Sequence, residues 1–123
     1  MKKTLTILSL AVLALVGLSA CATPAAAPSI SVAPDTVIVD VRTAAEYTGG
    51  HLQDAINIDV QSADFDTLIS ALPTEGDYII YCASGNRSAV AVQRMTDLGF
   101  TSLTDAGGVT DAATATGLAV VVD

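Results

Sequence analysis

The stretch Tyr78-Ile79-Ile80-Tyr81-Cys82-Ala83-Ser84-Gly85-Asn86-Arg87-Ser88 decides the fold. Its first four residues are apolar or aromatic with no polar alternation, which is typical of a strand buried on both faces. Apolar residues then recur at Val90, Met95 and Leu98 before Gly99, so a helix is predicted over residues 88–98. A buried strand, a short loop and a helix in this order are the unit from which parallel sheets covered by helices are built.

The same alternation of strands and helices extends to both sides of this stretch. Strands are predicted over residues 36–41, 55–58, 78–81 and 100–103, with an apolar strand or tail over 117–122. Further helices are predicted over residues 44–47 and 62–72, and a last one after Gly107-Gly108. The first has the capping-box residues Thr43 and Glu46, and the second has the helical apolar series Phe65, Leu68, Ile69 and Leu72. We therefore predict an α/β domain with a mostly parallel central sheet and helices on both faces.

Composition limits the classes of protein that remain. The chain has 123 residues, 5 Lys and Arg against 13 Asp and Glu, and a net charge of −8, so one domain is expected. Binding to nucleic acid or to an anionic membrane surface is disfavoured because phosphate binding needs clustered cations. Two cysteines are too few for a disulfide scaffold or a four-cysteine zinc site. A hydrophobic fraction of 51% excludes a disordered chain.

Residues 1–20 have the pattern of a secretory signal. Lys2 and Lys3 precede an apolar run over residues 5–18, which as a helix would rise only about 21 Å, too short for a permanent membrane span. The exit, Leu18-Ser19-Ala20-Cys21, resembles the lipobox of bacterial lipoproteins. That resemblance implies cleavage before Cys21, acylation of Cys21 by fatty acids such as palmitate, and a lipid anchor facing the periplasm or the cell exterior. Ala22 favours the outer membrane in a Gram-negative cell. The alternative is ordinary signal cleavage with a free Cys21.

The segment after the signal predicts a tether and then one folded unit. Residues 21–34 are rich in Ala and Pro and carry no charge, so we expect the lipidated cysteine to be followed by a semi-extended linker. The folded domain is predicted over residues 35–123. With Cys21 used as the anchor, Cys82 has no intramolecular partner, and an unpaired cysteine is ordinarily a small buried hydrophobe.

The position of Cys82 favours a reactive thiol over that ordinary interpretation. Ligands of open α/β sheets bind outside the carboxyl ends of the strands, where Cys82 and its loop are expected. A short strand-to-helix loop can direct several backbone N–H groups at one point, and Gly85 and Asn86 are residue types that tolerate positive φ there. These donors, together with the helix N-terminus, lower the pKa of a thiol at their centre.

Several motifs in register resemble a single-domain rhodanese. They are Asp40-Val41-Arg42, Glu46-Tyr47, Gly50-His51-Leu52, Ala55-Ile56-Asn57-Ile58, Tyr81-Cys82-Ala83-Ser84-Gly85-Asn86-Arg87-Ser88, Gly107-Gly108-Val109 and Gly117-Leu118-Ala119-Val120. The resemblance covers essentially the whole predicted domain. It implies a rhodanese-like fold and a sulfurtransferase activity, with Cys82 attacking the sulfane sulfur of a donor and carrying it as a persulfide.

The resemblance also implies roles for individual residues. The loop residues Ala83, Ser84, Gly85, Asn86, Arg87 and Ser88 would bind the transferred sulfur through their amide groups. No metal and no organic cofactor are implied. The expected partners are a small donor, thiosulfate or a thiol persulfide, and a thiol, thiol-protein or cyanide acceptor. Four residues separate Cys82 from Arg87, whereas the related phosphatases have five, so phosphatase and arsenate reductase activity are disfavoured.

Other polar residues near the loop have competing interpretations. Arg87 either binds the donor's anionic group or pairs with an acid of the domain. Asp40 and Arg42 are expected to hold the loops beside the first strand. Glu46 lies four residues from Arg42, the spacing of a helix-surface contact between the two side chains. His51 is predicted to make a structural hydrogen bond rather than to act as a base.

The sequence departs from the family at three places. The loop has no cation before Arg87, Asp54 stands where the family has Gly, and Ala112 where it commonly has Trp. The alternative function is therefore a rhodanese-like binding or redox-sensing module with little turnover.

Overall fold

A computed structural model describes residues 29–123 of the chain. Its elements in chain order are β1 (Val37–Asp40), α1 (Ala44–Thr48), β2 (His51–Leu52), β3 (Ile56–Asn57), α2 (Phe65–Ile69), β4 (Asp77–Cys82), α3 (Asn86–Asp97), β5 (Ser102–Gly108), α4 (Val109–Thr116) and β6 (Val120–Val121). The predicted α/β class is confirmed, because strands alternate with helices and the central sheet is parallel.

The central sheet has four parallel strands in the order β3-β1-β4-β5. The register pairs Asp40 at the end of β1 with Tyr81, one residue before Cys82. Beyond β4 the pairing with β5 shifts at an irregularity, and Cys82 lies opposite Gly108. A separate two-stranded antiparallel sheet joins β2 to β6. The carboxyl ends of β1, β4 and β5 therefore meet at one edge, where Cys82 lies.

Two hydrophobic clusters cover the two faces of the sheet. One contains Val39, Tyr78, Ile80 and Cys82 from the strands together with residues of α2 and α3 such as Phe65, Ile69, Ala91 and Met95. The other contains Ile38, Ile79 and Tyr81 together with Ala106 and Ala112, and Tyr47 and Val109 pack against it. Alternate residues of one strand enter opposite clusters, which is why β1 and β4 lack polar alternation.

Several predicted boundaries and orientations differ from the structure. The fourth predicted strand, over residues 100–103, is in fact β5 and runs on to Gly108, while the helix predicted over 62–72 shortens to α2. β2 was not predicted, because two residues are too few to show a period. Leu68 and Val90, both in helical apolar series, are about half exposed, at 51% and 53%. A short helix on a small sheet buries only the residues directed at the sheet.

The chain is already packed before the predicted domain start at Asp35. Ile30 and Val32 contact the cluster that contains Ile38 and Ala112, and the Ile30 N–H donates to the Ala115 carbonyl oxygen at 2.9 Å. Packing against the domain thus begins at least five residues before Asp35, within the segment predicted as a tether. The signal, the lipobox with Cys21 and most of the predicted tether lie in residues 1–28, outside the described part. Within residues 29–123, no helix has the length and apolar character needed to cross a membrane.

Candidate active site

β4 brings Cys82 to the carboxyl edge of the sheet with its side chain fully buried. The Gly85 N–H donates to Cys82 Sγ at 2.9 Å, and Ser88 Oγ lies 3.6 Å from the same sulfur. Ala83 and Ser84 are exposed, so the loop forms the outer wall over the sulfur. The predicted arrangement of a strand, a thiol, a short loop and a helix N-terminus is present.

Two opposing influences act on the Cys82 thiol. Burial raises its pKa because it disfavours the charged thiolate. The Ser88 hydroxyl and the backbone N–H groups of Ser88, Gly85 and Ser84 lower it, and together they outweigh burial. The pKa of Cys82 therefore lies below its ordinary value, which raises the thiolate fraction near neutral pH.

The conformation of the loop after Cys82 depends on two glycines, one for its positive φ and one for a close approach. Gly85 has φ of +98°, a region that favours glycine, and it precedes the first turn of α3. Asn86 is helical, so the prediction that it tolerates positive φ is not needed. A Cβ atom placed on Gly108 would lie 2.5 Å from the Ala83 carbonyl oxygen. The Gly107-Gly108 pair thus lets the end of β5 pack directly against the loop.

Arg87 pairs with a carboxylate of the domain. Its Nη1 and Nη2 donate to the two carboxylate oxygens of Glu46, each at 2.8 Å. Glu46 also completes the predicted capping box with Thr43 at the start of α1. The Arg87 guanidinium and the Thr43 donors hold the pKa of Glu46 at about 2, against the opposing effect of burial. In this structure Arg87 therefore holds α3, the helix that follows the Cys82 loop, against α1. Because Glu46 pairs with Arg87, the contact between Arg42 and Glu46 that the sequence suggested is wrong.

Arg42 instead pairs with Asp40 at the end of β1. Its Nη2 lies 2.7 Å from Asp40 Oδ2, and Nε lies 3.0 Å from Oδ1. The same Nη2 donates to the Gly50 carbonyl oxygen, and Asn57 Nδ2 donates to the Arg42 carbonyl oxygen. Both charged side chains are buried. In the structure Asp40 and Arg42 thus form a buried pair that joins the end of β1 to the loop at Gly50.

His51 makes structural contacts. Its ring stacks on Tyr47 with 3.8 Å between the ring centroids, and Nδ1 donates to the Tyr47 carbonyl oxygen at 2.9 Å. Nε2 lies 3.1 Å from Asp123 Oδ2. Within the described residues His51 makes no hydrogen bond to Cys82. At the neighbouring turn, Asp54 adopts φ of 65°, a conformation that explains why Gly is expected there.

Sequence reasoning missed Asp105. The Ser88 hydroxyl lies 2.7 Å from Asp105 Oδ1, and the Gly107 N–H donates to the same oxygen at 2.9 Å. Asp105 is exposed, while Ser88 and Cys82 are fully buried. The predicted fourth strand ended at Leu103, so Asp105 fell in a gap between elements. Its place two residues before Gly107-Gly108 was the available signal.

The cations of the site are fully engaged. All three arginines within residues 29–123 lie in ion pairs with carboxylates: Arg42 with Asp40, Arg87 with Glu46, and Arg94 with Asp66. Across the same residues, no group of three or more His, Cys, Asp or Glu is placed to hold a metal ion. Two cavities of about 390 and 570 Å³ involve Gln53 and Asp54, and Cys82 lines neither. What the arrangement offers chemically is a buried thiol surrounded by amide donors.

Comparison with protein families gives a match over most of the chain. The family described as "Rhodanese-like domain" matches residues 23–111. This range includes the β1 and β4 loops, Cys82 and the Gly107-Gly108 pair.

Individual relatives agree with that match. The chain is 33% identical over 76 residues to a thiosulfate sulfurtransferase, PspE, of Escherichia coli, covering 61% of this chain and 72% of the relative. It is also 33% identical over 66 residues to a sulfurtransferase of Allochromatium vinosum, covering 54% of this chain and 60% of that relative. Among solved structures, a rhodanese with anions from E. coli superposes with a TM-score of 0.61 at 26% identity, covering 72% of this chain and 99% of that one.

Proposed function

Since the chain belongs to the rhodanese-like domain family, we propose that it is a sulfurtransferase that carries sulfane sulfur as a persulfide on Cys82. The observation that carries this proposal is the 2.9 Å contact from the Gly85 N–H to Cys82 Sγ, beside the Ser84 and Ser88 N–H groups, which also lower the pKa of the thiol. Such donors stabilise a thiolate before the reaction and the anionic outer sulfur after it. The names of the E. coli and A. vinosum relatives support the same reaction class.

The reaction proceeds in two displacements at sulfur. The Cys82 thiolate attacks the outer sulfur of the donor, an S–S bond forms at Cys82, and the donor's S–S bond breaks. With thiosulfate the bonding pair leaves on sulfite, whereas with a thiol persulfide it leaves on the thiolate. A thiolate or cyanide acceptor then attacks the outer sulfur, and the pair of the broken bond returns to Cys82. No net oxidation occurs, so no external oxidant is required.

Thiosulfate and a thiol persulfide both remain donors under this proposal. The arginines of the described residues are engaged by carboxylates, so the dianionic donor would be held chiefly by loop amides. A thiol persulfide carries less charge and needs less compensation. The relative from E. coli is named for thiosulfate, which supports thiosulfate as the first donor to test.

The test is the mass of the protein after exposure to a donor. The full chain carrying Cys21→Ser, in detergent, has Cys82 as its single cysteine. Incubation with thiosulfate or with glutathione persulfide is expected to add about 32 Da, one sulfur atom, which dithiothreitol removes. Cys82→Ser in the same background abolishes the gain. The rate of loading rises with pH as the thiolate fraction grows and levels off above the thiol pKa.

A folded protein that gains no sulfur from either donor contradicts the proposal. If its thiol still reacts with an alkylating reagent, the alternative of a binding or redox-sensing module takes its place. If the Cys82→Ser variant still gains the mass of a sulfur atom, the sulfur is carried by another group.

We also propose that the protein is held at a bacterial membrane by lipid on Cys21. Support comes from the sequence Leu18-Ser19-Ala20-Cys21 and the short apolar run before it. Two or three acyl chains give firm anchoring at about 0.8 kcal/mol per buried CH₂ group. Growth with labelled palmitate is expected to label the wild-type chain and not Cys21→Ala. Equal labelling of both excludes the anchor.

A further inference from the structure

The Ser88 hydroxyl connects the buried sulfur to an exposed carboxylate. Its oxygen lies 3.6 Å from Cys82 Sγ, 2.7 Å from Asp105 Oδ1 and 3.0 Å from the Gly85 carbonyl oxygen. Asp105 comes from β5 and Ser88 from α3, so the contact joins two elements across the site. The proposed chemistry assigns no part to Asp105.

A serine hydroxyl has one hydrogen, so it serves one of these neighbours at a time. The contact with Asp105 is the shortest and its acceptor carries a charge, and charge-assisted hydrogen bonds are about twice as strong as neutral ones. Asp105 therefore competes with the Cys82 thiolate for this hydrogen, and Ser88 lowers the Cys82 pKa only to the extent that the hydrogen turns to the sulfur. While the hydrogen points to Asp105, a lone pair of Ser88 Oγ faces the sulfur and can accept the S–H of a protonated Cys82.

We propose that Asp105 is a positioning residue that withholds the Ser88 hydrogen from Cys82 Sγ and thereby favours the persulfide over the free thiolate. The inference rests on the proposed function and deepens it. In the thiolate the negative charge lies on Sγ, where a Ser88 donor would stabilise it. In the persulfide the negative charge lies on the outer sulfur, which under the proposed function is stabilised by the loop amides. Asp105 therefore takes the Ser88 donor away from the thiolate and takes no donor away from the persulfide.

The charges around the contact leave this orientation intact. At this end of the sheet, the titratable or charged groups on the elements beside Asp105 are Cys82 at the end of β4, Arg87 at the start of α3 and Asp111 at the start of α4. Arg87 donates to both oxygens of Glu46 and offers no competing hydrogen bond to Asp105. Asp111 lies within about 4 Å of the position a Cβ on Gly107 would occupy, and it makes no hydrogen bond to Ser88 among the described residues.

The experiment measures the Cys82 thiol pKa by thiolate absorbance in the full chain with Cys21→Ser. Asp105→Asn keeps the size of the side chain and weakens its hold on the hydroxyl, so Ser88 turns towards the thiolate. The expected result is a thiol pKa lower by about 0.5 to 1. Asp111→Asn removes a nearby charge without touching Ser88 and is expected to lower it by less than about 0.3.

A double-mutant cycle separates the hydroxyl from the charge. In a Ser88→Ala background, Asp105→Asn is expected to shift the thiol pKa by less than half as much as in the wild type. An equal shift in both backgrounds, or a rise in the pKa, overturns the inference. If Ser88→Ala does not fold, the contrast between Asp105→Asn and Asp111→Asn decides, and equal shifts for those two also overturn it.

Loading distinguishes this inference from the proposed function. In a fixed mixture of glutathione persulfide and glutathione, at a pH above the Cys82 thiol pKa where the free protein is thiolate, Asp105→Asn is expected to lower the ratio of persulfide to free Cys82 by about three- to tenfold, the factor that the pKa change implies. A wild-type protein that does not load contradicts the proposed function, while the pKa cycle still tests the orientation of Ser88. Normal loading in Asp105→Asn together with an unchanged pKa overturns the inference alone.

Discussion

The loops that follow β1 and β4 leave the same edge of the sheet but are held in different ways. After β1, the Arg42 side chain is buried and makes hydrogen bonds to Asp40 and to the Gly50 carbonyl oxygen. After β4, the loop from Ala83 to Gly85 is shaped by backbone contacts, and its amides face a sulfur atom. A loop braced by side chains keeps its position, whereas a loop braced by backbone leaves its N–H groups available to a ligand.

The largest expected effect comes from removing the brace of the β1 loop. Arg42→Ala leaves the Asp40 carboxylate buried without its cation, and breaking a buried pair in this way costs about 3–5 kcal/mol in unfolding free energy. Urea denaturation measures the loss. Arg94→Ala, which breaks a partly exposed pair with Asp66, is the matched control and is expected to cost much less. Equal losses of unfolding free energy in the two variants contradict the conclusion that the buried Arg42 side chain holds the β1 loop.

The next effect concerns the backbone bracing of the β4 loop. Gly108→Ala places a Cβ 2.5 Å from the Ala83 carbonyl oxygen, so the loop or β5 must move. Overpacking of this kind costs about 1–3 kcal/mol, and the displaced amides are expected to slow sulfur loading at least about tenfold. Gly49→Ala is the control, because its Cβ meets only ordinary contacts, the nearest at 3.5 Å. Loading at the wild-type rate in Gly108→Ala means that the loop tolerates the displacement.

The smallest effect lies at the contact between the two regions, where Arg87 of α3 meets Glu46 of α1. Both side chains are partly exposed, so the pair contributes under about 1 kcal/mol to unfolding free energy. The pKa of Glu46 falls to about 2 on folding, below its ordinary value of 4.5. The contribution is therefore complete above about pH 4.5 and is lost as the pH falls towards 2.

The measurement for this pair is the thermal midpoint as a function of pH. At about pH 6 the thermal midpoint of Glu46→Gln is expected to lie below that of the wild type, and this difference is expected to shrink as the pH approaches 2. Arg87→Ala is expected to follow the same profile. A difference that is constant with pH shows that Glu46 acts through its capping of α1 alone.

The sequence predicted the fold class and the placement of Cys82 because both follow from local patterns. Unalternated strands at β1 and β4 and the short loop after Cys82 are visible without tertiary information. Leu68 and Val90 belong to helical apolar series yet are about half exposed, because the helical period does not show how narrow a contact a short helix makes with a small sheet. The extent of β5 was missed because its second half, up to Gly108, contains small and polar residues.

Pairings between distant residues were the part that the sequence could not supply. Arg42 lies four residues from Glu46, which suggested a pair, yet Asp40 takes Arg42 and Glu46 takes Arg87, 41 residues away in the chain. Both partners of Arg87 considered from the sequence, a donor anion or an internal acid, were compatible with its position. Asp105 is brought to Ser88 only by the pairing of β4 with β5.

The entry of the chain beside α4 has a consequence for how the molecule is oriented on any support. The Ile30 N–H donates a hydrogen bond to the Ala115 carbonyl oxygen, close to the carboxyl end of α4, while α4 begins next to the loop that covers Cys82. A helix of this length separates its two ends by about 12 Å. A bilayer, a bead or a fusion partner joined through residues before Ile30 is therefore attached at the end of α4 that lies away from the loop over Cys82.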